Sequence, residues 1–101
     1  MIDMEKKLYF LFLEKGCATC APVFARLDTT KIVELEQGDG NVEFHVCLSF
    51  TNNTTEELFN AFGISGKHTP VLLYPDGHAV DDAEAIINEM NNLGVATIPE
   101  R

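Results

Sequence analysis

Positively charged side chains are scarce in this chain of 101 residues: 7 Lys and Arg stand against 16 Asp and Glu, and the net charge is −9. Proteins that bind the nucleic-acid backbone need clustered Lys and Arg to neutralise its phosphates. The same shortage disfavours attraction to an anionic membrane surface. We therefore expect neither nucleic acid nor membrane among the partners, and we interpret the acidity as a source of solubility.

Cysteine is also scarce, and its count of 3 is odd. Small secreted proteins that are held together by disulfides normally have an even and larger number of cysteines. The hydrophobic content of 46% is typical of a globular protein, so the core is expected to hold without such bridges. The cysteine count instead predicts a reducing compartment, a reactive pair and one spare thiol, and we expect a cytoplasmic protein.

Long hydrophobic segments are absent. The apolar run at residues 8–13 is far shorter than the ~20 residues that a membrane-spanning helix needs. Asp3 and Glu5 precede that run and no small-residue cleavage site follows it, so the N-terminus does not resemble a signal peptide. We expect a single domain over residues 1–101 that is soluble and monomeric.

The first half of the chain alternates between strand and helix patterns. Residues 7–13 contain a continuous apolar run, which is typical of a central strand that is buried on both faces. Residues 18–37 have a helical pattern whose apolar phase slips at residues 28–30, which predicts a kink or a break, and a turn is predicted at residues 38–40. Residues 42–50 alternate between apolar and polar, which predicts a strand with one wetter face near a sheet edge.

The second half predicts a short helix, a hairpin and a last helix. A capping box at residues 54–57 opens the short helix, strands at 71–74 and 78–80 flank a tight turn, and a helix follows Asp81 and Asp82 and ends at Gly94. No element is predicted after Gly94. The order is β-α-β-α-β-β-α, with a parallel first pair of strands and an antiparallel last pair. We therefore expect an α/β protein with a four-stranded mixed sheet flanked by helices.

The motif Cys17-Ala18-Thr19-Cys20 lies between the first strand and the first helix. This spacing and position indicate thiol–disulfide exchange. Two thiols in the first turn of a helix are close enough to form a disulfide, and the free N–H groups of that turn stabilise a thiolate. The alternatives are two structural cysteines or half of a zinc site. Zinc needs a full tetrahedral set of ligands, and only Cys47 and 3 scattered histidines remain, so we expect no metal.

Further sequence markers follow the cysteine pair in a consistent order. They are Leu27-Asp28 in the first helix, Gly63-Ile64-Ser65-Gly66, and Thr69-Pro70 followed by Asp76-Gly77. With these markers the chain resembles the thioredoxin-fold family over about residues 6–93, in the minimal form that glutaredoxins use. The resemblance implies a minimal thioredoxin fold and thiol–disulfide oxidoreductase activity without a cofactor.

The resemblance also implies roles for individual residues. Cys17 would be the attacking thiol, and Cys20, deeper in the helix, would resolve the mixed disulfide. Pro70 would follow a cis peptide bond and present the backbone of Thr69 to a substrate chain. An apolar groove around Cys17, Ile64, Thr69 and Pro70 would receive that chain.

Two charged neighbours are candidates for tuning the thiolate. Lys15 would add positive potential, and His68 would act on the Cys17 thiolate or shuttle a proton, although an exposed loop histidine is the simpler interpretation. The chain also departs from thioredoxins, because it has no Trp, Gly16 stands where they have Trp, and Leu11 stands where they have a buried Asp.

The expected function is reduction of protein disulfides, with a reductase or glutathione regenerating the dithiol. Two alternatives stay open. One is an oxidant or isomerase of the DsbA or DsbC kind, and the other is a thioredoxin-fold binding module whose cysteines do not turn over. The departures from the thioredoxin pattern keep the binding module open.

Overall fold

The structure, a computed structural model, describes residues 7–38 and 41–97. Its elements are β1 (Lys7–Glu14), a 3-10 turn (Ala18–Cys20), α1 (Ala21–Arg26), α2 (Thr29–Gln37), β2 (Val42–Ser49), α3 (Asn52–Ala61), β3 (Val71–Leu73), β4 (Ala79–Val80) and α4 (Ala83–Leu93). Asp39 and Gly40 of the predicted turn, and the chain from residue 98 onward, lie outside the described residues. Within the described ranges, no helix is long and apolar enough to cross a membrane.

The sheet has the strand order β2-β1-β3-β4. β1 pairs with β2 in parallel along its whole length, from Lys7 opposite Val42 to Glu14 opposite Ser49. β3 is antiparallel to both β1 and β4. The predicted α/β class and the mixed four-stranded sheet are therefore confirmed, and this order of elements is that of a minimal thioredoxin-like fold.

The central strand β1 separates two hydrophobic clusters. Leu11 and Leu13 face a cluster that also contains residues from α1, α2 and α4, whereas Phe12 faces a smaller cluster with Phe59 of α3. All three β1 side chains are buried, at 0–2% exposure. A strand that must fill both clusters has no polar position in its middle, which explains its continuous apolar run.

The predicted break in the first helix is confirmed. Leu27 leaves the helix and forms an isolated β-bridge with Ala96, while the Asp28 side chain accepts a hydrogen bond from the Lys31 N–H (3.2 Å) and caps α2. Val95 is fully buried. The chain just after α4, for which the sequence predicted no element, is thus held against the break by backbone pairing.

Helix α3 starts earlier than predicted. The predicted capping box at residues 54–57 is wrong, because the helix begins at Asn52 and the Thr51 side chain caps it by accepting a hydrogen bond from the Thr54 N–H (3.2 Å). Thr55 therefore lies inside the helix. Its side chain turns inward and is buried.

The face of β2 that was predicted to be apolar is only partly covered. Phe44 is buried with Ile32 of α2, but Val46, Leu48 and, just beyond the strand, Phe50 are exposed at 38%, 49% and 66%. On the face predicted to be wetter, Ser49 is buried at 3%. The position of β2 at the sheet edge agrees with the prediction. The exposed apolar and buried polar side chains in the second half of β2 do not agree with the prediction.

A hydroxyl network joins the ends of β1, β2 and α3. The Thr55 hydroxyl donates to Glu14 Oε1 (2.9 Å) and contacts the Ser49 hydroxyl, which donates to the Leu13 carbonyl oxygen (3.3 Å). Buried polar groups of this kind stabilise a fold only while they keep their partners.

We expect Thr55→Val to lower the free energy of unfolding by about 1–3 kcal/mol, because Glu14 and Ser49 lose a buried partner. Urea denaturation followed by circular dichroism measures the change. Thr30→Val is the matched control, since Thr30 is exposed on α2, and it should shift the free energy by less than about 0.5 kcal/mol. Equal losses in the two variants would contradict a stabilising role for the network.

Candidate active site

A glycine turn places the first cysteine at the end of the central strand. Gly16 has φ +83°, a conformation that residues with a side chain rarely adopt. The Cys17 N–H donates to the Glu14 carbonyl oxygen (3.2 Å) and closes the turn. A tryptophan at position 16 would be strained in this backbone, which gives a physical reason for the departure noted in the sequence.

The two cysteines have different exposures. Cys17 is the N-cap residue of the 3-10 turn, which leads directly into α1, and its Sγ accepts a hydrogen bond from the Cys20 N–H (3.2 Å). Cys17 is partly exposed, whereas Cys20 is only 4% exposed and belongs to the core cluster. One sulfur therefore faces solvent, and the other lies behind it in the protein.

Two threonine hydroxyls surround the Cys17 sulfur. Thr19 Oγ1 lies 3.2 Å from Sγ and 3.2 Å from the Thr69 carbonyl oxygen, so its one proton can be donated to either of them, and Thr69 Oγ1 donates to Sγ (3.5 Å). The thiol itself reaches the Thr69 carbonyl oxygen at 3.5 Å. Thr69 lies in the loop before β3 and precedes Pro70 across a cis peptide bond. These contacts therefore bring the reactive turn against that loop.

These surroundings separate the pKa values of the two thiols. Partial burial alone would raise the pKa of Cys17, but hydrogen bonds from the Cys20 thiol, the Thr19 and Thr69 hydroxyls and the Cys20 N–H together lower it below its ordinary value. Burial raises the pKa of Cys20, and its hydrogen bond to Cys17 raises it further. The exposed Cys17 sulfur thus loses its proton more readily and forms the thiolate, whereas the buried Cys20 sulfur more readily stays protonated.

The two predicted tuning residues lie near the site, but hydrogen bonds account for the lowered pKa of Cys17. The Lys15 ammonium lies 5.8 Å from the centre of the Phe50 ring, and His68 is exposed in the loop before Thr69. Neither is among the groups that shift the pKa of Cys17. Their tuning roles stay predictions.

On one side of Cys17 lies a groove of about 650 Å³ that we call the polar groove. Besides Cys17 and Thr69 it is lined mostly by polar side chains, namely Glu14, Thr55, Glu56, Asn60, Ser65, Lys67 and His68. Ile64 is only 7% exposed, and Pro70 is fully buried. The predicted contacts of Ile64 and Pro70 with a substrate stay predictions, and the surface that these two residues offer is small.

On the other side of Cys17 lies a second groove, of about 360 Å³, that we call the apolar groove. It is lined by both cysteines, by Leu13, Ala21, Phe24 and Leu48, and by Glu14, Lys15 and Gly16. Phe24 and Leu48 were not predicted as site residues, and neither was Thr19. In the sequence, Phe24 and Leu48 are apolar residues within helix and strand patterns, and Thr19 is a hydroxyl residue. Core packing or solvent exposure explains each of them equally well.

The third cysteine and the other two histidines lie away from the two grooves. Cys47 is half-buried on β2, and burial raises the pKa of its thiol. The exposed His45 and His78 pair with neighbouring acidic side chains. In residues 7–38 and 41–97, no group of three or more His, Cys, Asp and Glu side chains is placed to hold a metal ion.

Comparisons with known proteins add a structural likeness. No protein-family profile and no curated protein sequence matches the chain. Its structure is similar to the solution structure of the first thioredoxin domain of mouse protein disulfide-isomerase A4, with 19% sequence identity, a TM-score of 0.41, and coverage of 95% of this chain and 69% of that one. The thioredoxin-like assignment comes from the chain's own strand order and from the position of its cysteines.

We expect Thr19→Val to raise the pKa of Cys17, because the thiolate loses one of the hydroxyls that stabilise it. The rate of iodoacetamide alkylation follows the thiolate fraction, so the midpoint of its pH profile should move to higher pH. Mass spectrometry identifies the modified cysteine. Thr19→Ser keeps the hydroxyl and should keep the wild-type profile. A profile unchanged in Thr19→Val would show that Thr19 does not stabilise the thiolate.

Proposed function

We propose that the protein is a thiol–disulfide oxidoreductase that reduces disulfides in polypeptide substrates. The observation that carries this proposal is geometric: Cys17 is partly exposed and its Sγ accepts the Cys20 N–H (3.2 Å), whereas Cys20 is only 4% exposed behind it. The directions of the two pKa shifts, lowered at Cys17 and raised at Cys20, agree with this difference. Two structural cysteines need no such difference, whereas an attacking and a resolving thiol do.

The reaction has two exchanges. The Cys17 thiolate attacks one sulfur of the substrate disulfide and forms a mixed disulfide, and the other substrate sulfur leaves as a thiolate that takes up a proton. Cys20 then loses its proton and attacks Cys17 Sγ, which forms the Cys17–Cys20 disulfide and releases the second substrate thiol. The protein dithiol has given up two electrons, and the substrate disulfide has gained them.

The first exchange itself prepares the second. While Cys17 is a thiolate, its charge and its hydrogen bond with the Cys20 thiol both raise the pKa of Cys20. In the mixed disulfide Cys17 has no negative charge, so both of these effects disappear and the pKa of Cys20 falls. The resolving thiol therefore becomes a better nucleophile only after the substrate is bound.

A reductase or glutathione would regenerate the dithiol. The polar groove supports a small zwitterionic thiol such as glutathione in this role, since Lys67 and His68 are placed to meet carboxylates and Glu14 and Glu56 to meet an ammonium group.

An oxidising role is the second candidate, and the lowered pKa of Cys17 favours it. Hydrogen bonds that stabilise the thiolate also stabilise the reduced protein, and a stabilised reduced form makes a dithiol pair a stronger oxidant. The chemistry and the residues are the same in this case, and only the direction of electron flow differs.

We expect the wild-type protein to accelerate the reduction of insulin by dithiothreitol, because Cys17 attacks its disulfides. Cys17→Ser should abolish the acceleration, and Cys20→Ser should accumulate a mixed disulfide with the substrate that mass spectrometry detects. Cys47→Ser is the control and should keep the activity. An inactive wild-type protein would instead favour a binding module.

The reduction potential separates a reductant from an oxidant. We expect equilibration with glutathione buffers to give a potential nearer the ~−270 mV of thioredoxin than the ~−120 mV of DsbA. Alkylation of the remaining thiols and mass spectrometry would measure the oxidised fraction and identify the paired sulfurs. A potential near ~−120 mV would contradict the proposed reduction of substrates and would favour the oxidising role.

A further inference from the structure

Four large apolar side chains are exposed together beside the reactive cysteine. We call them the apolar patch: Phe24 on α1 is 61% exposed, and Val46, Leu48 and Phe50 are 38%, 49% and 66% exposed. Val46 and Leu48 lie two residues apart on β2 and so point to the same side of the sheet, and Phe50 follows just beyond the strand. A group of exposed apolar side chains of this kind is typical of an interaction site.

The backbone edge next to this patch is also open. β2 is the outer strand of the sheet, and the Phe44 N–H points away from β1 and donates to Glu36 Oε2 (3.0 Å). Because strand geometry repeats every second residue, the backbone groups of Val46 and Leu48 point the same way. In the described part of the chain no strand pairs with this edge. Glu36 thus caps only the first half of β2.

The patch is continuous with the reactive site. Phe24 and Leu48 line the apolar groove together with Cys17 and Cys20. On the opposite side of Cys17 the groove is polar, and Ile64 and Pro70 are buried. The large apolar contacts that a polypeptide can make next to the reactive sulfur are therefore on the β2 side.

Charge decides between two possible occupants, a second copy of the chain and a substrate. Each copy carries a net charge of −9, so two copies repel each other when they approach. A polypeptide with basic residues is attracted by the same field. The charge therefore favours a basic partner over self-association.

We propose that the apolar patch and the open edge of β2 form the docking surface for the substrate, and that the substrate is an extended polypeptide segment with apolar and basic residues. This proposal rests on the proposed function. The segment adds as a strand beside Val46 and Leu48, its apolar side chains cover the patch, and its disulfide reaches Cys17. Such segments are exposed in unfolded proteins, which makes an incompletely folded disulfide protein the matching substrate class.

The test compares two disulfide substrates. One is a peptide disulfide flanked by alternating apolar and Lys residues, and the other is a small aromatic disulfide, dithiobis(nitrobenzoate). We expect the double variant Phe24→Gln, Leu48→Thr to lower the ratio of kcat/KM for the peptide to that for the small disulfide by about tenfold. Val33→Thr is the matched control, since Val33 is 49% exposed on α2 and does not line the apolar groove. It should keep the wild-type ratio.

Three peptide variants test the recognition itself. Replacement of Lys by Glu should weaken turnover about tenfold at low salt, and the difference should shrink as salt is added. Methylation of alternate backbone nitrogens should also weaken turnover if the segment pairs as a strand. A peptide with Ser in place of its apolar residues should behave as a poor substrate for the wild-type protein.

The outcomes separate this proposal from the proposed function. A wild-type protein that reduces neither disulfide contradicts the function itself. A wild-type protein that is active, with the same substrate ratio in the double variant, contradicts only the docking surface. Sedimentation that shows a wild-type dimer and a monomeric double variant would assign the patch to a second copy and overturn the proposal. Circular dichroism and urea unfolding confirm that the variants fold.

Discussion

The contact between the Cys17 turn and Thr69 is the interaction on which the site depends. It joins residues 52 positions apart, through the Cys17 sulfur to the hydroxyl and carbonyl oxygen of Thr69, while the Thr19 hydroxyl contacts the same carbonyl oxygen. β1 pairs with both β2 and β3. Because β1 and β3 are antiparallel, the loop after β1, which carries Cys17, and the loop before β3, which carries Thr69, lie at the same end of the sheet. The pKa of Cys17 is thus lowered first by groups of its own turn, Cys20 and Thr19, and further by the tertiary contact with Thr69.

Local signals made much of the fold predictable. The continuous apolar run of β1, the phase slip near Asp28 and the hairpin around Gly77 each depend on a short stretch of sequence, and the structure contains all three features. The exposed second half of β2 was not predictable in this way. Alternating side chains define two faces of a strand, but they do not show how far a helix packed on one of them extends.

The site was predictable only in part, for the same reason. The spacing of the cysteines indicated the candidate reactive residues, whereas the tight turn before them, with Gly16 at φ +83°, is seen only in the structure. Thr19 and Thr55 gave no signal, because a threonine that stabilises a thiolate and a threonine that faces solvent look identical in a sequence. Their roles follow from partners such as Thr69 and Glu14, which lie about 40 to 50 positions away along the chain.

The two grooves beside a single reactive sulfur give the proposed cycle a spatial order. The apolar groove, through Phe24 and Leu48, suits the polypeptide whose disulfide is reduced, and the polar groove, through Lys67, suits the small charged thiol that restores the dithiol. Cys20 lies behind Cys17 in the core and, in the proposed cycle, would resolve the mixed disulfide from the protein side. Because the two partners differ in polarity, each suits the lining of a different groove, and the two grooves share only Glu14, Gly16 and Cys17.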